Sequence, residues 1–337
     1  MGLGRRLYRG EIDVDFVGRR KLWYGLSAFL IVFSIAGLIF SAAVHGSPLN
    51  LGVEFRGGSV FTFKAPGATI EQVRGTFSDE GVHQPIVQSV GTDGGWRVTT
   101  EPLPEAGRDK VQQAIVQDFR VPEQSISIQA IGASWGGEVA TKAWIGLGVF
   151  MLAIILYLSL AFEPKMALSA IVALLHDLII TAGIYAWSGF EVTPATLLGF
   201  LTILGYSLYD AVVVFDMIKE VTAKLGTGSK KTYTQAANDA LNHTLIRSLN
   251  TSLVAILPVA AILFIGTTLL GAGTLKDLSL ALFVGMLVGT YSSLCVATPL
   301  LVTLKEREPK YQAIARRLAA TQGGGKAKGG KAAVAKG

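Results

Sequence analysis

Six stretches of this chain are each apolar for about the thickness of a bilayer. They cover residues 22–42, 142–161, 166–187, 193–217, 244–265 and 278–304. A hydrocarbon core of about 30 Å takes roughly 20 helical residues to cross. Inside it every backbone N–H and C=O must be satisfied within the segment, which selects the α-helix. A soluble fold can bury one such stretch, but not six. Hydrophobic residues make up 50% of the chain and charged ones only 16%, which excludes an ordinary soluble enzyme. The expected class is a polytopic α-helical membrane protein.

The basic residues orient it. Arg5, Arg6, Arg9, Arg19, Arg20 and Lys21 precede the first run. Lys219, Lys224, Lys230 and Lys231 separate the fourth from the fifth, and Lys305, Arg307, Lys310, Arg316 and Arg317 follow the sixth. With six crossings all of these fall on one side, which the excess of Lys and Arg marks as cytoplasmic. The segments 188–191 and 266–277 fall on the other side, with Lys276 as their one basic residue. Both termini are expected in the cytoplasm and the chain in the cell inner membrane. The net charge of +6 is then largely topology. No basic face carries base-reading groups, so nucleic acid is not an expected partner. Ser41-Ala42-Ala43 offers small residues after the first run. That run is nevertheless longer than the apolar core of a secretory signal, about 7–15 residues, and reads as an uncleaved anchor. Cys295, the lone cysteine, permits no internal disulfide and no zinc spacing.

Between the first two runs, residues 45–140 have the pattern of a small folded domain on the outer side. Val53-Glu54-Phe55 and Ser59-Val60-Phe61-Thr62-Phe63 alternate as half-buried strands do. Residues 69–77 predict a helix with Ile70, Val73 and Phe77 on one side. Residues 86–90 and 96–100 predict strands joined by a glycine-rich turn. Residues 106–119 predict a second helix and 125–129 a last strand. The order β-α-β-β-α-β is the ferredoxin-like one, making this an extracytoplasmic α+β domain between helices 1 and 2. Gly57-Gly58 predicts a tight turn beside Glu54 and Arg56. The remaining divisions are a cytoplasmic segment 1–21, a helical bundle 142–304 and a tail 305–337. The Gly/Lys-rich run 323–331 lacks apolar periodicity and predicts a disordered tail against anionic lipids.

Ionisable residues inside the apolar runs carry the functional expectation. Asp210 lies in the fourth run, within Leu204-Gly205-Tyr206-Ser207-Leu208-Tyr209-Asp210-Ala211-Val212. A carboxylate at that depth is costly unless paired or protonated, and by default marks an ion or proton pathway. His176 and Asp177 lie near the middle of the third run, and Arg247 near the cytoplasmic start of the fifth. Burial and a neighbouring arginine pull a carboxylate's proton affinity in opposite directions. An Asp210–Arg247 pair, with Asp177, is therefore the expected proton-coupling group, supported by His176, Tyr209 and Ser207. Asp216 reads as solvated at its helix end. Gly285 and Gly289 form a GxxxG pattern that lets helices approach. No ATP-binding glycine loop is present, no metal site is suggested, and the only coupling species expected is the proton. An aspartyl protease using Asp177 and Asp210 lacks its Gly-x-Gly-Asp signature.

Four segments together resemble the SecF family: Leu49 to Ser59, Ile131 to Gly136, Leu201 to Asp216 and Gly289 to Ser293. The resemblance covers roughly residues 15–305 and implies half of an RND-like architecture. It implies a non-enzymatic subunit that pairs with SecD, docks on the SecYEG channel and uses the proton-motive force to help exported polypeptide chains across. It implies that Asp210 is the proton-linked aspartate and Arg247 the arginine tied to it. Tyr209 stands where the family usually has asparagine. Glu54 replaces an aspartate, and Arg56 a small polar residue. The alternatives are half of a lipid or drug exporter and a purely structural translocon subunit.

Overall fold

The computed structural model describes residues 14–83, 85–91, 93–226, 228–266 and 273–320. Arg5, Arg6, Arg9, the Gly/Lys-rich run and residues 267–272 lie outside these.

Among the described residues six helices are long and apolar enough to cross a membrane: Arg20–His45, Trp135–Ala161, Pro164–Ser188, Pro194–Ala223, Tyr233–Gly266 and Leu275–Lys305. Their ends follow local chemistry. Thr193 and Thr232 close capping boxes with Thr196 and Gln235, satisfying first-turn N–H groups. Pro164 and Pro194 occupy first helical positions, where no N–H is needed. Gly46 and Gly189 end the first and third spans in left-handed conformation, at φ 74° and 68°.

The spans pack through small residues. A Cβ on Gly183 of the third span would lie 2.1 Å from Ser34 Cβ of the first. One on Gly285 of the sixth would lie 2.0 Å from Ile203 of the fourth, and one on Gly289 would lie 3.2 Å from Ser207. The GxxxG pattern thus sets the approach of the fourth and sixth spans. The third, fourth and sixth spans form the centre. The second span and the outer half of the fifth leave many side chains exposed, among them Trp144, Val149, Leu253 and Val254.

Between the first and second spans lies a small α+β unit. Its sheet has the order β3-β4-β2-β5, with β2 Gly58–Lys64, β3 Ile86–Val90, β4 Gly95–Thr100 and β5 Ser127–Ile131, all neighbours antiparallel. Helices Ile70–Asp79 and Glu105–Phe119 supply Val73, Phe77, Val111 and Ile115 to a core with Phe61, Phe63, Trp96 and Val98. Predicted and observed bounds of these helices and inner strands differ by a few residues. The last strand starts at Ser127 because Glu123–Ser125 forms a 3-10 turn.

Two sequence expectations fail. Val53-Glu54-Phe55 is not a strand but part of a one-turn helix, Val53–Arg56. Its apolar side chains Val53 and Phe55 both point inward, which alternation also permits over so short a run. The strand before it is β1, Asn50–Leu51, which pairs in parallel with β6, Glu191–Val192, between the third and fourth spans. The tail after Lys305 is also not wholly irregular. Residues 309–320 are helical, with Ile314 buried and Tyr311 and Leu318 packed on the main core. An i, i+3, i+7 spacing of apolar residues among cations was masked by the charge.

The α+β unit is tied to one end of the bundle by the β1–β6 ladder and a close backbone crossing. A Cβ on Gly136, at the start of the second span, would lie 2.7 Å from Gly57 N. The other end is stapled by charge. Arg20 meets Glu306 at 2.6 Å, Lys165 meets Glu308 at 3.0 Å, and buried Lys305 pairs with Glu163. Val14, Phe16 and Val17 are held there by the side chains of Asn238 and Asn242.

Candidate functional site

Asp210 and Asp177 are almost wholly buried, at 3% and 1% exposure, in the middle of the bundle. The fourth span delivers Asp210 and Ser207 from the same buried stripe. Asp210 Oδ1 accepts from Ser248 of the fifth span at 2.6 Å, and Oδ2 accepts from Ser293 of the sixth. Asp177 of the third span accepts at Oδ2 from Ser207 at 2.6 Å and from Ser292 at 2.7 Å. Its Oδ1 faces His176 Nδ1 at 3.1 Å. Adjacent hydroxyls extend the group: Tyr206 donates to Ser252 at 2.8 Å and Thr290 donates to it at 2.9 Å. Ser293 begins a π-helical segment, Ser293–Ala297, in the sixth span. Such wide turns inside helices concentrate at functional sites.

The arrangement suits a proton. A hydroxyl donates to a carboxylate and accepts from a carboxylic acid, so each Ser–Asp contact survives a change of protonation. An arginine partner would favour the charged form alone.

Of the residues expected at the site, Asp210, Asp177, His176 and Ser207 lie in this buried centre. Ser207 holds Asp177 rather than Asp210. Tyr209 does not join them: it is 55% exposed on the bundle surface. Arg247 also points outward, and no ion pair joins it to Asp210 among the described residues. The reason is rotational. Successive helical residues turn by about 100°, and Ser248, the next residue, takes the inward position that the pair required. Asp216 is exposed as expected, but it is not at its helix end, because the helix runs on to Ala223.

The turn leading into the α+β unit is a separate place. Arg56 donates to Ser47 Oγ at 2.5 Å and Leu49 O at 3.3 Å, holding that loop. Gly57 and Gly58 have φ of 77° and 152°. A Cβ on Gly58 would lie 2.5 Å from Thr100 O, so only glycine fits there. Glu54 is half-buried, and its Oε2 has no hydrogen-bond partner among the described residues.

Residues 111–307 match the family model described as protein export membrane protein SecD/SecF, C-terminal, and residues 43–65 match the SecD/SecF GG motif. The protein translocase subunit SecF of Streptomyces coelicolor is 48% identical over 328 residues, covering 97% of this chain and 86% of that one. This chain belongs to the SecF family. SecF of Mycobacterium tuberculosis is 39% identical over 323 residues, covering 93% of this chain and 72% of the relative. The crystal structure of SecDF from Thermus thermophilus, a translocon-associated membrane protein, superposes with a TM-score of 0.77 at 29% identity. It covers 90% of this chain and 42% of that longer one. SecD and SecF are thus joined in one Thermus chain, and the SecF family member described here is a multi-pass membrane protein.

Within this SecF fold, sequence reasoning missed Ser248, Ser252, Thr290, Ser292 and Ser293. The signal was present. Ser248 and Ser252 stand four apart on one helical face, and Thr290, Ser292 and Ser293 fall in a segment that carries the family resemblance.

Proposed function

We propose that this chain is the SecF subunit of a Sec protein translocase. With SecD it uses the proton-motive force to help preproteins across the inner membrane through SecYEG. The family match supports the translocation role. The observation that carries the energetic part is Asp210, buried at mid-span and held by the hydroxyls of Ser248 and Ser293. The proton is the coupling species, with no other cofactor. Asp210 loads and releases it, and Asp177 with His176 forms a second proton-holding group.

Arg247 faces away from this chain, so its charge is answered by a carboxylate of SecD across the subunit interface. A guanidinium left in lipid would be costly. The α+β unit is ferredoxin-like and extracytoplasmic: its strand order and paired helices support the first, and the cluster of basic residues at the opposite end supports the second. The β1–β6 ladder and the Gly57–Gly136 crossing transmit movement of the spans to that domain. Both termini are cytoplasmic, and the basic tail lies along anionic lipid and exported chains pass on the other side.

Inner-membrane vesicles lacking the chain provide the test. Supplying it together with SecD should restore the gradient-dependent completion of preprotein translocation. Restoration that is indifferent to the gradient would refute the proton-driven role.

A further inference from the structure

Outward from Asp177 the third span carries two buried hydroxyls that the site above does not use. Asp177, Thr181 and Tyr185 stand at i, i+4 and i+8, on one face, over about 12 Å of helix. Thr181 and Tyr185 are 2% and 0% exposed. Among the described residues neither Thr181 Oγ1 nor the Tyr185 hydroxyl has a hydrogen-bond partner, and His176 Nε2 has none either. Buried polar atoms are rarely left so, and each such case asks for a role. Phe200, Ile203 and Ala281 pack around Tyr185 as an apolar wall, so the stripe is narrow.

Its upper end meets charge. The Tyr185 hydroxyl lies beside Thr196 and within electrostatic reach of Asp277. Asp277 and Glu191 line a cleft of about 720 Å³ between the sheet of the α+β unit and the bundle, with Arg97 and Lys276 beside them. Arg97 lies 4.0 Å from Glu191. The lower end meets Ser207 and Ser292 on Asp177, and Ser293, the next residue, on Asp210. Below Asp210 the bundle closes with Val214, Phe215, Ile218, Leu241 and Leu245, all apolar.

We infer that the outer half of the proton route is built inside this chain: from the Glu191–Asp277 cleft, past Tyr185 and Thr181, to Asp177. This rests on the proton-coupled reading of Asp210. Water entering from the cleft bridges the hydroxyls. Each oxygen accepts one proton and passes one on, so the hydroxyls end unchanged. The Asp177 carboxylate becomes the acid, and the donor acid at the cleft becomes a carboxylate until it takes up another proton from outside.

The test uses the complete complex with SecD and the channel in sealed vesicles. Thr181→Val removes the hydroxyl at nearly constant shape, and Thr181→Ser keeps it. The route predicts that Thr181→Val loses most of the gradient-dependent translocation, that Thr181→Ser retains it, and that the gradient-independent part is unchanged in both. Wild-type gradient dependence in Thr181→Val, while Asp210→Asn abolishes it, would overturn the route and leave the proton reading standing. An inert Asp210→Asn would instead overturn that reading. If Thr181→Val fails to assemble, Tyr185→Phe decides: loss of the gradient-dependent part in an assembled complex supports the route, and wild-type gradient dependence overturns it.

Discussion

Ser292 and Ser293 are consecutive in the sixth span, yet Ser292 donates to Asp177 of the third span and Ser293 to Asp210 of the fourth. One turn of helix therefore touches both buried carboxylates. A change at either acid alters the hydrogen bonding of adjacent residues at the mouth of a π-helical segment. On the proposed proton role of Asp210, that segment is the element best placed to convert protonation into a helix movement.

Removing one hydroxyl from Asp210 should impair coupling without unfolding the chain. A hydrogen bond to a charged group is worth about 1.5–3 kcal/mol, roughly tenfold to a hundredfold in an equilibrium. Ser248→Ala and Ser293→Ala are each expected to reduce gradient-dependent translocation within that range. Because both hold one carboxylate, the double variant should fall short of the product of the two effects. Translocation kinetics at a fixed gradient measure this.

Arg247 should matter to the complex and not to this chain. Arg247→Ala is expected to leave the thermal unfolding of the isolated chain within about 0.5 kcal/mol, as for other exposed positions. It should weaken co-purification with SecD and lower gradient-dependent transport. An isolated chain that melts much earlier would place Arg247 in the fold instead.

Much of this architecture is readable from residue order, because bilayer thickness and backbone hydrogen bonding leave few choices for six apolar runs. The inner strands and helices of the α+β unit also follow from period and turn residues. The short helix Val53–Arg56 does not: four residues carry too little periodicity, and its partner is Gly136, about 80 residues away. At the site, burial of Asp210 follows from its setting. The choice between Arg247 and Ser248 as its neighbour depends on helix rotation, which three-dimensional packing sets. Serine is also too common in membrane helices to stand out until its partner is known.

The glycine contacts give a packing prediction. Gly285→Leu would drive a side chain into Ile203, where a Cβ already lies 2.0 Å from Ile203 Cδ1. Overpacking of this kind costs about 1–3 kcal/mol, and detergent-solubilised protein should melt earlier. Gly146→Leu on the second span, with nothing within 4 Å of its Cβ, should be neutral.

Glu191 makes the attachment of the α+β unit pH-dependent. Burial pushes its carboxyl above the usual range, and Arg97 only partly opposes this. A raised folded value means that protonation favours the attached state. Its contribution is therefore full at low pH and is lost as pH rises through the raised value. The Gly52 amide, which donates to Val192 O at 2.9 Å, should exchange faster with rising pH beyond the intrinsic chemical rate. Glu191→Gln should remove that extra dependence.

The most direct measurement compares wild type with Asp210→Asn in inner-membrane vesicles containing SecD, with and without a proton gradient. The account predicts loss of the gradient-dependent part of translocation alone, with the complex still assembled. An assembled Asp210→Asn complex that responds to the gradient as wild type does would contradict it.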